Sequence, residues 1–327
     1  MSASSYPAGI NNLVLRNVPI LQSNPGKVFW VDNADVLFPQ GQELAGVDQA
    51  GGGSYQKPFR TWDFAIGQCK ANRGDIIIIK PGYTQTITLA TEILLDVAGV
   101  TTIGIGVGSL RPTITFGAAA ANIPITAANV AVTGILHVAN FADVASFYTA
   151  TTTATPTDFA LEGNEFRDTS SILNALKIVQ GNATANSMDG LSFVGNKISS
   201  LGTTAATTAI GILEAANRVT IKDNTGVWAV VNNTPALMSM SSFNLLSLEV
   251  SGNTVYRPNT DTATGGILIE GTTTASTGMV FNNRVHCLDT AAILLITTGS
   301  TLGFSENYVS GLADASGFLL PAADTDA

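Results

Sequence analysis

The chain has 327 residues, 45% hydrophobic and 12% charged, enough for a sizeable core and too apolar for intrinsic disorder. Its 15 Lys and Arg face 24 Asp and Glu, a formal charge of -9, which argues against nucleic acid as a direct partner. Cys69 and Cys287 are too few for a disulfide framework or a cysteine metal site, and no apolar stretch approaches the roughly 18 residues of a membrane span.

The start, MSASSYPAGINNLVLRNVPI, has neither a cationic region nor a continuous apolar one, so no signal peptide is expected and synthesis is assigned to a cytoplasm. Pro and Asn interrupt weakly apolar pieces as far as about Lys27, and residues 1–53 read as an extended N-terminal arm for attachment. Residues 54–75, SYQKPFRTWDFAIGQCKANRGD, read as a short capping helix. Thr61 is its expected N-cap, Phe64, Ala65, Ile66 and Cys69 are its apolar positions, and it is expected to end near Asn72 to Gly74. Such a helix would plug the open end of a solenoid. In GDIIIIKPGYTQTI, Ile76 and Ile78 are expected to point into the first coil, with Ile77 and Ile79 under the cap or arm. Pro81-Gly82 is expected to turn the first corner.

Residues 76–327 carry a repeat. FALEGNEF, LSFVGNKI, VTIKDNTG, LEVSGNTV, GMVFNNRV and LGFSENYV each alternate apolar and variable residues and reach an Asn. Those residues are Asn164, Asn196, Asn224, Asn253, Asn283 and Asn307, at steps of 32, 28, 29, 30 and 24. Without the Asn, the pattern extends back to Ile135, to Ile105 and, 24 residues earlier, to Pro81. Period-two alternation over a few residues means short strands, and a repeat this short must stack on its neighbours to bury its apolar face. The predicted architecture is all-β: a parallel β-helix whose corner Asn residues tolerate left-handed backbone angles and bond from coil to coil as a ladder. The Thr-rich stretches between repeats read as variable turns and further strands.

KPFRTWDFAI followed by GDIIIIKPGYTQTI resembles the opening module of pectate-lyase-like, right-handed parallel β-helix proteins. In that module a Pro-Phe-x-Thr helix leads to Gly-Asp, an apolar strand and Pro-Gly-x-Tyr-x-x-x-Ile. The whole chain, including its ending GLADASGFLLPAADTDA, is similar to β-helix proteins encoded among tailed-phage virion genes. The resemblance implies a right-handed coil and a virion component.

Enzymes of this fold act on polysaccharides through clustered carboxylates on an outer face. One residue before the ladder stand Gly163, Gly195, Asp223, Gly252, Asn282 and Glu306, where the acids are isolated; two before, Glu162 is followed by Val194 and Lys222. The densest acidic spot is Glu162, Glu165 and Asp168, the weak catalytic candidates, with Asp189 approaching from the next coil. Three residues after the ladder, Tyr256 and His286 should be neighbours on successive coils, with Trp228 and Arg257 close by. Such an aromatic and cationic patch suits a sugar ring or a protein interface. His137 falls in an apolar inward column and reads as a buried, hydrogen-bonded core residue. The glycines around Ile105 lack a βαβ context, so no cofactor is expected, and two distant histidines make no metal site.

These features favour a non-enzymatic structural protein of a bacteriophage particle, a capsid decoration or minor head protein docked by its arm and a coil face. Its partners would be other capsid or tail subunits and copies of itself, with a trimer suggested by the fold, and no nucleic acid or membrane. The alternative is a tail spike or fibre that binds or depolymerises a host-surface polysaccharide. A secreted pectinolytic enzyme ranks third.

Overall fold

The computed structural model describes residues 26–33, 46–151, 154–202, 208–212, 215–229, 236–240, 245–258, 269–271, 276–287, 301–310 and 317–318. Their strands form sheets A and B of ten strands each, sheet C of six, and one two-stranded pair. Sheet A runs from Val28–Val31 through Ile76–Ile79 to Thr301–Ser305; sheet B runs from Thr84–Ile87 to Tyr308–Ser310 and Gly317–Phe318. Within a sheet each strand pairs in parallel with its equivalent in the next coil; the exception is Gly317–Phe318, which closes the end of sheet B antiparallel to Tyr308–Ser310. The architecture is the parallel β-helix read from the repeat.

The core is a set of stacked columns. Ile77, Thr102, Val132, Leu161, Phe193, Ile221, Val250 and Val280 follow one another in register along sheet A, all buried. Helix α1, Trp62–Gly67, caps the first coils, with the Thr61 side chain accepting from the Phe64 N–H as the N-cap. Thr102, the polar member of the column, meets that cap: its Oγ1 accepts from the fully buried Trp62 Nε1 at 3.1 Å. The helix ends at Gly67, short of the Asn72 to Gly74 expected, where the Gln68 and Cys69 N–H groups tighten the last turn by donating to the Ala65 and Ile66 carbonyls at 3.2 and 2.9 Å. Segment 1–53 contributes the strand Val28–Val31, which pairs with Ile76–Ile79.

The isoleucine run has the opposite polarity to the one expected. Ile77 and Ile79 point into the main core, while Ile76 and Ile78 pack outward with Trp30 in a second cluster flanked by Tyr55, Ile103 and Ile105. Pairing of Ile77 with Thr102 puts Lys80, rather than Pro81, opposite Ile105, so the step there is 25 residues. A one-residue slip in register exchanges the two faces of a strand. The apolar run concealed the slip because both faces of this first strand are buried.

From Ile135 onward a side-chain ladder fixes the register. The Asn164 Oδ1 accepts from the Ile135 N–H, and the backbone N–H of each Asn from 164 to 283 donates to the amide oxygen of the next, at 2.9–3.2 Å. Each amide nitrogen reaches back to a carbonyl of an earlier coil, as Asn224 Nδ2 does to Phe193 at 2.8 Å. All six side chains are buried. The residue before each Asn is left-handed: Gly163, Gly195, Asp223, Gly252, Asn282 and Glu306 have φ between 53° and 67°. A Cβ is strained there, which explains the three glycines.

His137 is fully buried on the inward side of sheet B, its Nε2 2.6 Å from the Tyr148 hydroxyl and its ring stacked on Phe166 at 4.7 Å. Burial pushes its pKa down from 6.5 to about 3.

Two outcomes are expected. Asn253→Ala strips an acceptor from the Asn224 N–H and amide and a donor from the Ile221 carbonyl. With each unsatisfied buried group costing about 1–3 kcal/mol, its urea midpoint should fall by the equivalent of about 3 kcal/mol; an unchanged midpoint would show the ladder to be ornamental. For His137, the unfolded chain takes up a proton below about pH 6.5 while the folded protein resists it down to about pH 3. Stability should therefore fall with pH across that window, by about 1.4 kcal/mol per unit from this residue. His137→Gln should flatten that slope in a series of urea titrations; an identical slope would contradict the assignment.

Candidate functional site

Alternation along each strand of sheet B sends one set of side chains to the core and the other outward. The acidic trio is divided by this rule. Asp168 is inward and buried, accepting from the N–H groups of Ala175 at 3.0 Å, Leu201 at 2.8 Å and Gly202 at 3.4 Å, so it braces a corner. Burial nonetheless pushes its carboxyl above the usual range, against the pull of those N–H donors. Glu165 points outward and is held by two guanidinium groups, Arg111 at 3.3 Å and Arg167. Glu162 belongs to sheet A, where it accepts from the Ser192 hydroxyl at 3.3 Å. Asp189 is engaged by the backbone N–H and amide of Asn217. The three carboxylates thus face different surroundings and do not assemble as a catalytic pair.

The expected patch is also corrected in part. Tyr256 and His286 do meet, their ring centroids 5.1 Å apart and their planes 16° from parallel. Trp228 and Arg257 do not join them. Each follows an outward residue, Val227 or Tyr256, and so turns inward. Trp228 fills the space left by Gly226, whose added Cβ would lie 2.6 Å from the indole, and Arg257 is 3% exposed.

Around the surviving pair stands a larger group. One residue after the ladder, the outward side chains in register are Glu165, Lys197, Thr225, Thr254, Arg284 and Tyr308. Three residues after it come Arg167, Ser199, Val227, Tyr256, His286 and Ser310. Toward the C-terminal coils these rows bring together Tyr256, Arg284, His286, Tyr308 and Ser310. A surface concavity of about 550 Å³ adjoins them, lined by Asn282, Arg284, Glu306 and Tyr308. Its walls flank the ladder directly: Asn282 and Arg284 bracket Asn283, and Glu306 and Tyr308 bracket Asn307. The Arg284 N–H is fixed to the Asn253 carbonyl at 2.8 Å and the Tyr308 N–H to that of Asn283 at 2.7 Å. Glu306 holds a left-handed angle, φ 54°, where other coils use Gly, Asp or Asn. Left-handed angles cost a long side chain more than they cost glycine, and such outliers gather at functional sites.

Sequence reasoning missed Arg284 and Tyr308, and passed over Asn282 and Glu306 as isolated. The signal lay in the column one residue after the Asn, which turns from charged residues and threonine to Arg and Tyr over the last two coils. Among the described residues no three His, Cys, Asp or Glu side chains gather as a metal site, and no helix is long and apolar enough to cross a membrane.

No family model and no curated protein matches the chain. Among solved structures it is similar to a rhamnogalacturonan lyase, with 12% identity over 90% of each chain and a TM-score of 0.37. The expectation of a non-enzymatic protein is not kept against that finding. At that score the likeness carries no residue role and no substrate across. The fold is compatible with a protein that binds or acts on polysaccharide.

Proposed function

We propose that this chain is a glycan-binding β-helix that holds a polysaccharide on the outer face of sheet B, beside the C-terminal concavity. The observation that carries the reading is the stacked Tyr256–His286 pair on the same outward face as Arg284 and Tyr308, next to the concavity of about 550 Å³. Exposed aromatic rings offer flat apolar faces for sugar rings. Arg284, Asn282 and Glu306 provide donors and acceptors for hydroxyl and carboxylate groups around them. Parallel pairing and the Asn ladder fix the strands that carry both rings, so little backbone ordering is left for the ligand to impose.

The setting we infer is a tail spike or fibre of a bacteriophage particle, present as a homo-oligomer, with the N-terminal segment as its attachment. Support comes from the sequence resemblance to virion β-helix proteins, and from Val28–Val31, which ties the N-terminal segment to the solenoid by parallel pairing with Ile76–Ile79. A capsid decoration would share that attachment, but the sugar-suited rows on sheet B favour the spike.

A glycan array of bacterial capsular and lipopolysaccharide fragments tests the reading. The protein should bind at least one class, and Tyr256→Ala and Arg284→Ala should each weaken that binding by about tenfold, the value of about 1.4 kcal/mol. Binding that survives both substitutions unchanged would place the site elsewhere, and no binding to any fragment would refute the reading.

A further inference from the structure

We propose that Ser310 and His286 form a nucleophile–base pair that hydrolyses an O-acyl ester, such as an O-acetyl group, on a bound polysaccharide. This step rests on the glycan site described above. The Ser310 Oγ lies 2.5 Å from the His286 Nδ1, and the two residues are register partners on adjacent parallel strands. A hydroxyl held at that distance from an imidazole nitrogen can pass its proton directly. The base must itself be oriented, and here the Tyr256 ring does so by stacking on the imidazole at 5.1 Å and 16°. His286 is exposed and Ser310 half-buried, so an acyl group on a polysaccharide lying along sheet B reaches Oγ from the solvent side.

The neighbouring residues suit acyl transfer. Arg284 sits two residues before His286 on the same outward face, about 7 Å along the strand from it. Arg284 lines the concavity, and its guanidinium is the cation proposed for a developing oxyanion. His137, by contrast, is sealed in the core against Tyr148.

In the proposed reaction the Ser310 Oγ attacks the ester carbonyl carbon while its proton passes to His286 Nδ1. The carbonyl electron pair moves to oxygen and forms a tetrahedral oxyanion facing Arg284. Collapse of that species breaks the bond to the sugar oxygen, which takes the proton from the imidazolium and leaves as a hydroxyl. Water then gives a proton to the imidazole and attacks the acyl-serine. The second collapse breaks the acyl–Oγ bond, returns the imidazolium proton to Ser310 Oγ and releases the carboxylic acid. The sum is ester plus water giving alcohol plus acid.

The test uses the full chain with two probes that need no knowledge of the natural glycan. A biotin-tagged fluorophosphonate followed by peptide mass spectrometry should place the adduct on Ser310, and p-nitrophenyl acetate should be turned over. Ser310→Ala and His286→Ala should each lower that turnover by at least about 100-fold, with circular dichroism showing both variants folded. Absence of a Ser310 adduct, or turnover unchanged in Ser310→Ala, would overturn the proposal even if the array shows glycan binding. A Ser310 adduct without binding to any glycan would keep the pair and sink the polysaccharide reading instead.

Discussion

The corner at each Asn is the constraint on which the rest of the molecule depends. A buried amide bonds the backbone of the coil before it, and the preceding residue takes a left-handed turn so that the chain can swing from sheet A to sheet B. Six such corners in succession permit one register, because a slip by one residue would break every rung and turn the core columns outward. The same corners set the surface. Residues one and three places beyond the Asn must face outward from sheet B and must stack on their counterparts, which puts Tyr256 on His286 and His286 beside Ser310.

Where the ladder exists, the fold was legible from the sequence, since Asn and alternating apolar residues recur at every coil. At the N-terminal end, where no Asn marks the corner, four isoleucines fit either face equally well. The choice there is made by Trp62 in the cap and Trp30 on the outer side, tertiary partners that no periodicity reveals. The site divides in the same way. Tyr256 and His286 were visible as register neighbours. Trp228, Arg257 and Asp168 were misplaced because closeness in sequence was allowed to outweigh alternation; only the corner hydrogen bonds of Asp168 depend on loop geometry that the repeat does not encode. Arg284, Tyr308 and the strained Glu306 needed the concavity to be seen as a group.

The chain carries net negative charge, yet the outward rows of sheet B hold Arg167, Lys197 and Arg284 against Glu165. Glu165 is itself bracketed by Arg111 and Arg167. The carboxylates that looked suited to catalysis are occupied in structural work, and the groups free of the core on this face are aromatic, cationic and hydroxyl-bearing. That chemistry fits recognition of a sugar polymer and, at the Ser310–His286 pair, transfer of an acyl group better than acid-assisted cleavage of a glycosidic bond, which requires two facing carboxyl groups.

The central claim is that one face of the solenoid, rather than its ends or its other sheets, meets the glycan. Hydrogen exchange followed by mass spectrometry, with and without an oligosaccharide that the protein binds, addresses this directly. The account predicts that added protection will be confined to peptides carrying residues 254–257, 284–287 and 306–310. Protection centred instead on sheet A or sheet C, with those peptides unchanged, would contradict it.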